Sequence, residues 1–319
     1  MILAMPQSAI AQAIDNEPFA GPKIEQFPWK LVKISKVDYV SMVQVEQFYR
    51  FDKIQRDGKS VLLSTNDAEA RFEVGSHRCS INKVQFILSH PIQSRINDPS
   101  AYLSALDLKD LLDPVLRPKH IQGAKNFNTV IIDPGHGGKD KGATGLESQY
   151  TLILAKLLKA ELEKKGFRTV LTRQGNVSIP LGDRVRIANA HDNAIMISLH
   201  FNASPKPQVN GMETYTMSAR VPRPANRSSV ALAAAVHSRV LLDLNQPIPD
   251  GDFNTTDRGI RRARFNILSE CKHPTIYLEA GYLTNKAEAA KIKNPAYQQR
   301  LASAIARGIE AYQVTLQKK

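Results

Sequence analysis

Cysteine, tryptophan and long apolar runs are scarce in this sequence. Among its 319 residues there is one tryptophan and there are two cysteines, Cys79 and Cys271. Two cysteines so far apart exclude a disulfide framework and a cysteine-rich zinc module. No apolar run approaches the roughly 18 to 20 residues that span a bilayer, so we expect no transmembrane helix.

Acidic residues are too few to balance the basic ones. The 43 Lys and Arg residues exceed the 30 Asp and Glu residues, which gives a net charge of +13. Hydrophobic residues make up 42% of the chain, a globular composition that excludes disordered and collagen-like proteins. The positive charge suits an anionic partner, and nucleic acid, anionic lipid and cell wall all satisfy it.

The first 21 residues have the pattern of an export-signal remnant or of a disordered tail. Residues 1–13 are apolar, then small, and end in Ala11-Gln12-Ala13, which is typical of a signal-peptidase site. The basic start is missing and the apolar part is short, so a misplaced start codon and a simple tail are the alternatives. We favour the signal remnant, which predicts a protein exported to the periplasm or cell envelope.

The length is about twice that of a roughly 150-residue domain and predicts two domains. Residues 22–125 have the pattern of a small α+β module, because a short strand leads into an amphipathic helix twice, at Tyr39–Ser41 and at Tyr102–Ser104. The two prolines in 112–118 are expected to stop the second helix. The polar stretch 122–128 predicts the boundary, and residues 126–319 form the second domain.

The first module resembles the N-terminal-like domain of copper amine oxidases. The resemblance rests on the two Tyr-Val/Leu-Ser units and on the ending Leu112-Asp-Pro-Val-Leu-Arg-Pro118. We infer no copper chemistry, because His77, His90 and His120 are scattered and lack partners at ligand spacing. A structural module, or one that binds the wall or a partner, is therefore predicted.

Strands and helices alternate in the second domain. Short apolar runs, which look buried on both faces, predict strands at 129–133, 168–172, 194–199 and 275–279, with a further candidate at 212–216. Apolar residues at spacings of three and four predict helices at about 149–165, 181–191, 227–243 and 295–313. We therefore predict an α/β fold, in which a mostly parallel twisted sheet is flanked by helices and binds ligands at the carboxyl ends of its strands.

Histidine and glutamate residues lie where such a site is expected. His136 follows the first strand in a glycine-rich loop, His200 ends the third strand, and Glu279 ends the last one. Glu147, just before the first long helix, is a fourth candidate. Two imidazoles and one carboxylate, with water in the fourth position, are typical of catalytic zinc sites. Ligand type leaves Mn²⁺ and Fe²⁺ open as alternatives.

Seven motifs follow one another along the second domain: Ile132–Gly138 with Asp140, Leu171–Arg173, Leu181–Ala190, Ser198–Asn202, Gly211–Tyr215, Arg258–Phe265 and Leu278–Asn285. Through them, residues 128–313 resemble the zinc-dependent N-acetylmuramoyl-L-alanine amidases of the amidase-3 type. The resemblance implies that His136, Glu147 and His200 bind one Zn²⁺ ion. It also implies that Glu279 is the catalytic carboxylate.

One departure from the family pattern concerns the second ligand. A basic residue and an acid usually follow that glutamate, whereas Ser148 and Gln149 follow Glu147 here. The register to the following helix still places Glu147 at the ligand position, and Asp140 is the weaker substitute.

Three further residues are candidates for supporting roles. Asp133 is expected to orient a ligand histidine or to close a turn, and Asn202 to contact substrate or to close a turn. Arg262 is expected to bind substrate or wall, with a solvated surface as the alternative. It belongs to a cluster of four arginines: Arg258, Arg261, Arg262 and Arg264.

The resemblance implies hydrolysis of the amide between N-acetylmuramic acid and L-alanine in bacterial peptidoglycan, with Glu279 as general base for a zinc-activated water. Peptidoglycan and anionic wall polymers are the expected partners. A nucleic-acid-binding protein is disfavoured, because no binding motif is present and the His and Glu pattern would stay unexplained. An inactive wall binder is disfavoured by four competent site residues, and a zinc hydrolase of another amide stays open.

Overall fold

The computed structural model describes Phe19 and residues 22–221, 223, 225–247 and 253–317. The chain divides into two compact units, Met1–Gln122 and Gly123–Lys319. Apart from Phe19, which is buried against Tyr49 and Phe51, the export-signal prediction lies outside the described residues. Within the described ranges, no helix combines the length and the apolar character needed to cross a membrane.

The first unit is built from short antiparallel strands with a few helical turns. Its strands are β1 (Val32–Ile34), β2 (Val37–Ser41), β3 (Lys53–Asp57), β4 (Ser60–Ser64), β5 (Glu69–Glu73), β6 (Arg78–Ile81), β7 (Val84–Ile87), β8 (Gln93–Arg95) and β9 (Asp98–Ser104). One sheet has the order β1-β2-β9-β8, and β3 to β7 pair consecutively as a meander. Its helices are α1 (Met42–Tyr49), α2 (Ala105–Asp107) and α3 (Asp113–Leu116), with a π-helical turn at Leu108–Leu112 and 3₁₀ turns at Ile24–Gln26 and Pro118–His120.

The sequence unit that occurs twice in this module, a short strand leading into a helix, has the same structure both times. Strands β2 and β9 pair with each other, with Tyr39 opposite Ser104 and Ser41 opposite Tyr102. Each serine caps the helix that follows, because its hydroxyl oxygen accepts a hydrogen bond from a backbone N–H in the first turn. The two strand-to-helix units therefore form around one central strand pair.

The expectation that both prolines of 112–118 stop the second helix is wrong for Pro114. Helical backbone continues past Pro114 to Leu116. Pro114 is the second residue of α3 and directly follows the π-helical turn, in a helix that has already departed from regular α geometry. The helix ends before Pro118, which begins a 3₁₀ turn.

The second unit is a helix-flanked sheet. Its strands are β10 (Thr129–Pro134), β11 (Arg168–Leu171), β12 (Ala194–Asn202), β13 (Met212–Met217), β14 (Asp257–Ala263) and β15 (Thr275–Tyr282). Its helices are α4 (Glu147–Lys164), α5 (Leu181–Asn189), α6 (Asn226–Leu244), α7 (Asn266–Glu270), α8 (Lys286–Lys293) and α9 (Pro295–Gln317), with a 3₁₀ turn at Ala143–Gly145. The five predicted strands and four predicted helices are present, and β14, α7 and α8 were not predicted.

The strand order in this unit is β11-β10-β12-β15-β13-β14. All neighbours are parallel except β13 and β15, which confirms the predicted mostly parallel α/β fold. Apolar side chains of β10 and β12 share a core cluster with α5 and α7, whereas α9 packs against α4 and α6. The expectation that every strand is buried on both faces is wrong for β11, which lies at the sheet edge and is partly exposed.

Strand register determines which side chains meet at the carboxyl edge. His200 on β12 lies directly opposite Glu279 on β15, and Pro134 at the end of β10 lies opposite Leu199 on β12. The loop after β10, which carries His136, therefore reaches the same edge as the ends of the two central strands.

Candidate metal centre and its cleft

Three side chains converge at the carboxyl edge of the sheet: His136, Glu147 and His200. One candidate ligand atom from each lies within 4.8 Å of the others, and among the described residues this is the one such group of three or more His, Cys, Asp or Glu side chains. The two oxygens of Glu147 lie between the imidazoles, because Oε2 is 2.9 Å from His136 Nε2 and Oε1 is 2.9 Å from His200 Nδ1. The group is able to hold a metal ion.

The loop that carries His136 is held by two buried arginines. His136 has a φ of +60°, a left-handed conformation that non-glycine residues rarely adopt. Arg184 donates hydrogen bonds of 2.7 Å to the carbonyl oxygens of Pro134 and His136, and Arg173 donates one of 2.8 Å to that of Gly135. These bonds satisfy the loop carbonyls and fix the direction of the His136 side chain.

Two glycines make room for the candidate ligands. A β-carbon on Gly135 would lie 2.2 Å from Cε1 of His200. One on Gly142 would lie 2.4 Å from Glu147 Oε2 and 2.6 Å from His136 Cδ2. The glycine-rich loop is thus required by close packing around the ligands as well as by its turns.

Asp140, not Asp133, contacts a candidate ligand histidine. Its Oδ2 lies 2.8 Å from Nδ1 of His136, an arrangement that fixes the orientation of a ligand imidazole. Asp133 instead accepts hydrogen bonds from Thr172, Ser198 and Arg184 at 2.5, 2.7 and 2.8 Å. The orienting role that we expected of Asp133 is therefore corrected, because three donors on neighbouring elements already engage its carboxylate.

Glu147 is the first residue of α4 and is 4% exposed. Besides the two imidazoles, its carboxylate accepts hydrogen bonds from the backbone N–H groups of Ala143 and Phe201 at 2.7 and 3.1 Å. Those donors hold both oxygens toward the histidines. The unusual Ser148 and Gln149 leave this placement intact.

The protonation of the three side chains reflects their mutual contacts. Burial alone favours neutral His136, but Glu147 and Asp140 outweigh it and raise the pKa of His136 to about 9. Burial also opposes ionisation of Glu147, yet hydrogen bonds with His136 and His200 lower its pKa to about 2. Burial lowers the pKa of His200, whose ring stacks on Tyr277 with centroids 4.1 Å apart.

Glu279 lies beside the three candidate ligands. Its Oε2 is buried and has no hydrogen-bond partner among the described residues, whereas the side chain is hydrogen-bonded to Tyr277. Burial, together with the charges of Glu147 and Glu213, raises the pKa of Glu279 to about 8. An unsatisfied buried carboxylate oxygen is costly unless a further group binds it, so this atom is poised to receive a ligand or a proton.

The candidate centre opens into a cleft of about 570 Å³. Both histidines line it, and on its rims are the partly exposed side chains Leu181 and Phe265. A concave site of this size suits a small organic group or a segment of a polymer.

The arginine cluster is divided between two environments. Arg258 lies 2.7 Å and Arg261 3.6 Å from Oε1 of Glu213, so both support the acid opposite Glu279 on β13. Arg262 donates a hydrogen bond of 3.4 Å to the carbonyl oxygen of Met217, away from the cleft lining. Arg264 lines the cleft, whereas the contact expected of Arg262 with substrate or wall stays a prediction.

Asn202 is the last residue of β12, and the two roles considered for it stay predictions. Its Oδ1 accepts a hydrogen bond from the backbone N–H of Ala203 at 2.8 Å. Sequence reasoning missed the supporting roles of Arg173, Arg184 and Tyr277. Their signal was available in part, because both arginines belong to motifs that we singled out.

Comparison with known proteins identifies the second unit. A sequence profile of the N-acetylmuramoyl-L-alanine amidase family matches residues 130–311. The chain is 32% identical over 187 residues to N-acetylmuramoyl-L-alanine amidase LytC of Bacillus subtilis, covering 58% of this chain and 35% of that protein. The chain thus spans about a third of that relative's length.

Comparison with solved structures also finds N-acetylmuramoyl-L-alanine amidases. The chain is 33% identical to an N-acetylmuramoyl-L-alanine amidase from Clostridium difficile 630, with a TM-score of 0.53 and coverage of 61% of this chain and 100% of that one. It is 35% identical to the amidase AmiC2 of Nostoc punctiforme, with a TM-score of 0.51 and coverage of 60% and 98%. Through residues 130–311, the chain belongs to the N-acetylmuramoyl-L-alanine amidase family.

Proposed function

We propose that this protein hydrolyses the amide bond between N-acetylmuramic acid and the L-alanine of the peptidoglycan stem peptide. The observation that carries the proposal is the placement of Glu279, with its unpartnered buried oxygen, beside the group His136, Glu147 and His200. Family membership supports the bond that is cut.

One zinc ion fits the three candidate ligands. Two imidazoles and one carboxylate are the donor set of catalytic zinc sites that keep a coordination position open. The orienting Asp140 carboxylate and the two glycines packed against the ligands support the same use. When bound, zinc supplies Lewis acidity that activates water and polarises the amide carbonyl.

The chain's own residues account for the proton transfers. Glu279 accepts a proton from the attacking water and passes it to the leaving nitrogen of L-alanine. Its raised pKa suits both halves of that task, because a carboxyl group that titrates near neutral pH both accepts and returns a proton. Asp140 and Glu147 hold the imidazole of His136 in place throughout.

We further propose that the protein works outside the cytoplasm, in the periplasm or cell envelope. The substrate lies there, and the start of the sequence has the pattern of an export-signal remnant. Peptidoglycan is the proposed partner, and the net charge of +13 suits the anionic polymers of the wall.

The test is digestion of intact peptidoglycan by purified protein, with mass analysis of the released pieces. We expect stem peptides that begin with L-alanine, lost after chelation and restored by added zinc. Zinc should rebind more tightly at pH 8 than at pH 6, because the acidic neighbours of His136 raise its pKa and its imidazolium must release a proton before it binds a metal. No release by folded, zinc-loaded protein would contradict the proposal and favour another amide.

Two variants separate the metal from the proton carrier. Glu279→Ala is expected to keep zinc and to lose at least about 100-fold in turnover, whereas His200→Ala is expected to lose both. Zinc content by elemental analysis and turnover on the same samples check this. A Glu279→Ala protein with near wild-type turnover would rule out its assigned role.

A further inference from the structure

Each charged or imidazole side chain that lines the cleft has an oppositely charged or hydrogen-bonding partner, except one. Asp133 is bound by Arg184 at 2.8 Å, and Asp140 by His136 at 2.8 Å. His200, the remaining imidazole of the lining, binds Glu147. Within the described ranges, Arg264 is the charged lining residue whose side chain makes no hydrogen bond and no ion pair.

Arg264 is positioned to meet a ligand. Its side chain is exposed at the rim of the cleft, next to Phe265, whose ring is 40% exposed and lies 4.8 Å from that of Tyr277. Tyr277 in turn stacks on His200. These aromatic contacts connect the segment that carries Arg264 to the candidate metal centre, and Arg264 lines the same cleft as both histidines.

We propose that Arg264 binds a free carboxylate on the stem-peptide residue that follows L-alanine, and so sets a preference for substrates in which that carboxylate is not amidated. The inference rests on the proposed function, which supplies the substrate. A guanidinium recognises a carboxylate by paired hydrogen bonds, and no acidic residue of the cleft lining competes for this one.

The chemistry of the substrate provides the anion at a suitable distance. The residue after L-alanine in peptidoglycan is a γ-linked D-glutamate, whose α-carboxyl group is either free or amidated. Two extended residues span about 7 Å, so this group remains near the bond that is cut. The amide keeps the shape of the carboxylate but loses the charge and one acceptor oxygen, and it is therefore the matched comparison.

The test compares two soluble muropeptides that differ in this group alone, D-isoglutamate against D-isoglutamine, by kcat/KM. We expect the wild-type protein to prefer the free carboxylate by about tenfold, mainly through KM, because the contact is made before and during the reaction. Arg264→Ala should reduce the ratio to about one, and Arg264→Lys should keep part of it. Arg168→Ala, which removes an exposed arginine at the start of edge strand β11, should leave the ratio unchanged.

The kinetic results distinguish the role of Arg264 from the amidase function. A preference that survives Arg264→Ala, or a wild-type protein that cleaves both peptides equally well, overturns the role of Arg264 and leaves the amidase function standing. Cleavage of neither peptide by zinc-loaded wild-type protein overturns the proposed function, and this inference with it. Because Arg264 is exposed and makes no contact with a charged partner, its replacement leaves the fold intact.

Discussion

At the scale of single residues, the candidate centre depends on the absence of side chains as much as on their presence. Gly135 and Gly142 lie against the ring of His200 and against the Glu147 and His136 pair, and a methyl group at either position would overlap those ligands. Gly142 also has a φ of +65°, which disfavours any other residue. Both close packing and backbone conformation therefore restrict position 142.

Gly142→Ala is expected to weaken zinc binding by at least about tenfold, because its β-carbon displaces a ligand oxygen. Gly145→Ala is the control for an alanine at positive φ: the φ there is +72°, and no atom lies within 4 Å of the new β-carbon. Competition with a zinc chelator measures both affinities. Equal affinities for the two variants would contradict the role of this β-carbon contact.

Sequence reasoning found the centre but not all of its supports. Side chains at strand ends could be predicted to meet, because parallel strands end at a common edge, and so His136, His200 and Glu279 were expected together. Loop conformation and side-chain rotamers determine which acid contacts which imidazole. The spacing of apolar residues in the sequence predicts neither of them. Asp140 therefore contacts His136 where Asp133 was expected to do so, whereas the role expected of Arg262 stays a prediction.

At the scale of elements, one buried ion pair joins strand β10 to helix α5. Asp133 and Arg184 lie 2.8 Å apart, with side chains 2% and 5% exposed. The same guanidinium binds the carbonyl oxygens of the His136 loop. The pair therefore links the stability of the fold to the shape of the metal loop.

Arg184→Leu is expected to reduce the free energy of unfolding by about 3 to 5 kcal/mol, because it leaves the Asp133 carboxylate buried without a cation. The double variant with Asp133→Asn should recover part of this loss. Arg186→Leu, on the same helix but 74% exposed, should cost less than about 1 kcal/mol. Urea unfolding measures all three, and a double variant no more stable than Arg184→Leu would contradict the argument.

Elements with a clear pattern were predicted, and the others depend on tertiary contacts. Buried strands such as β10 and β12 are continuous apolar runs, which is why their positions were evident. Strand β14 contains three arginines and has no such pattern, and it forms because its backbone pairs with β13. Likewise, a proline in the sequence does not by itself predict that a π-helical turn precedes Pro114.

At the scale of the whole molecule, net charge is the property most open to test. The chain carries +13, and the Debye length falls from about 10 Å at 0.1 M salt to about 3 Å at 1 M. We expect retention on insoluble walls to fall by more than half over that range, measured by sedimentation. Walls stripped of anionic polymers should retain less protein and respond less to salt, and retention that is independent of salt would contradict an electrostatic contribution.

The order of strands in the second unit has a consequence for how the protein is made. Among the described strands of the second unit, β15, which carries Glu279, is the last in chain order, yet it lies in the middle of the sheet between β12 and β13. A chain still emerging from the ribosome therefore holds all three candidate ligands without Glu279 and without the strand that fills the middle of this sheet. The site that Glu279 completes therefore forms only after nearly all of the described part of this unit has been made.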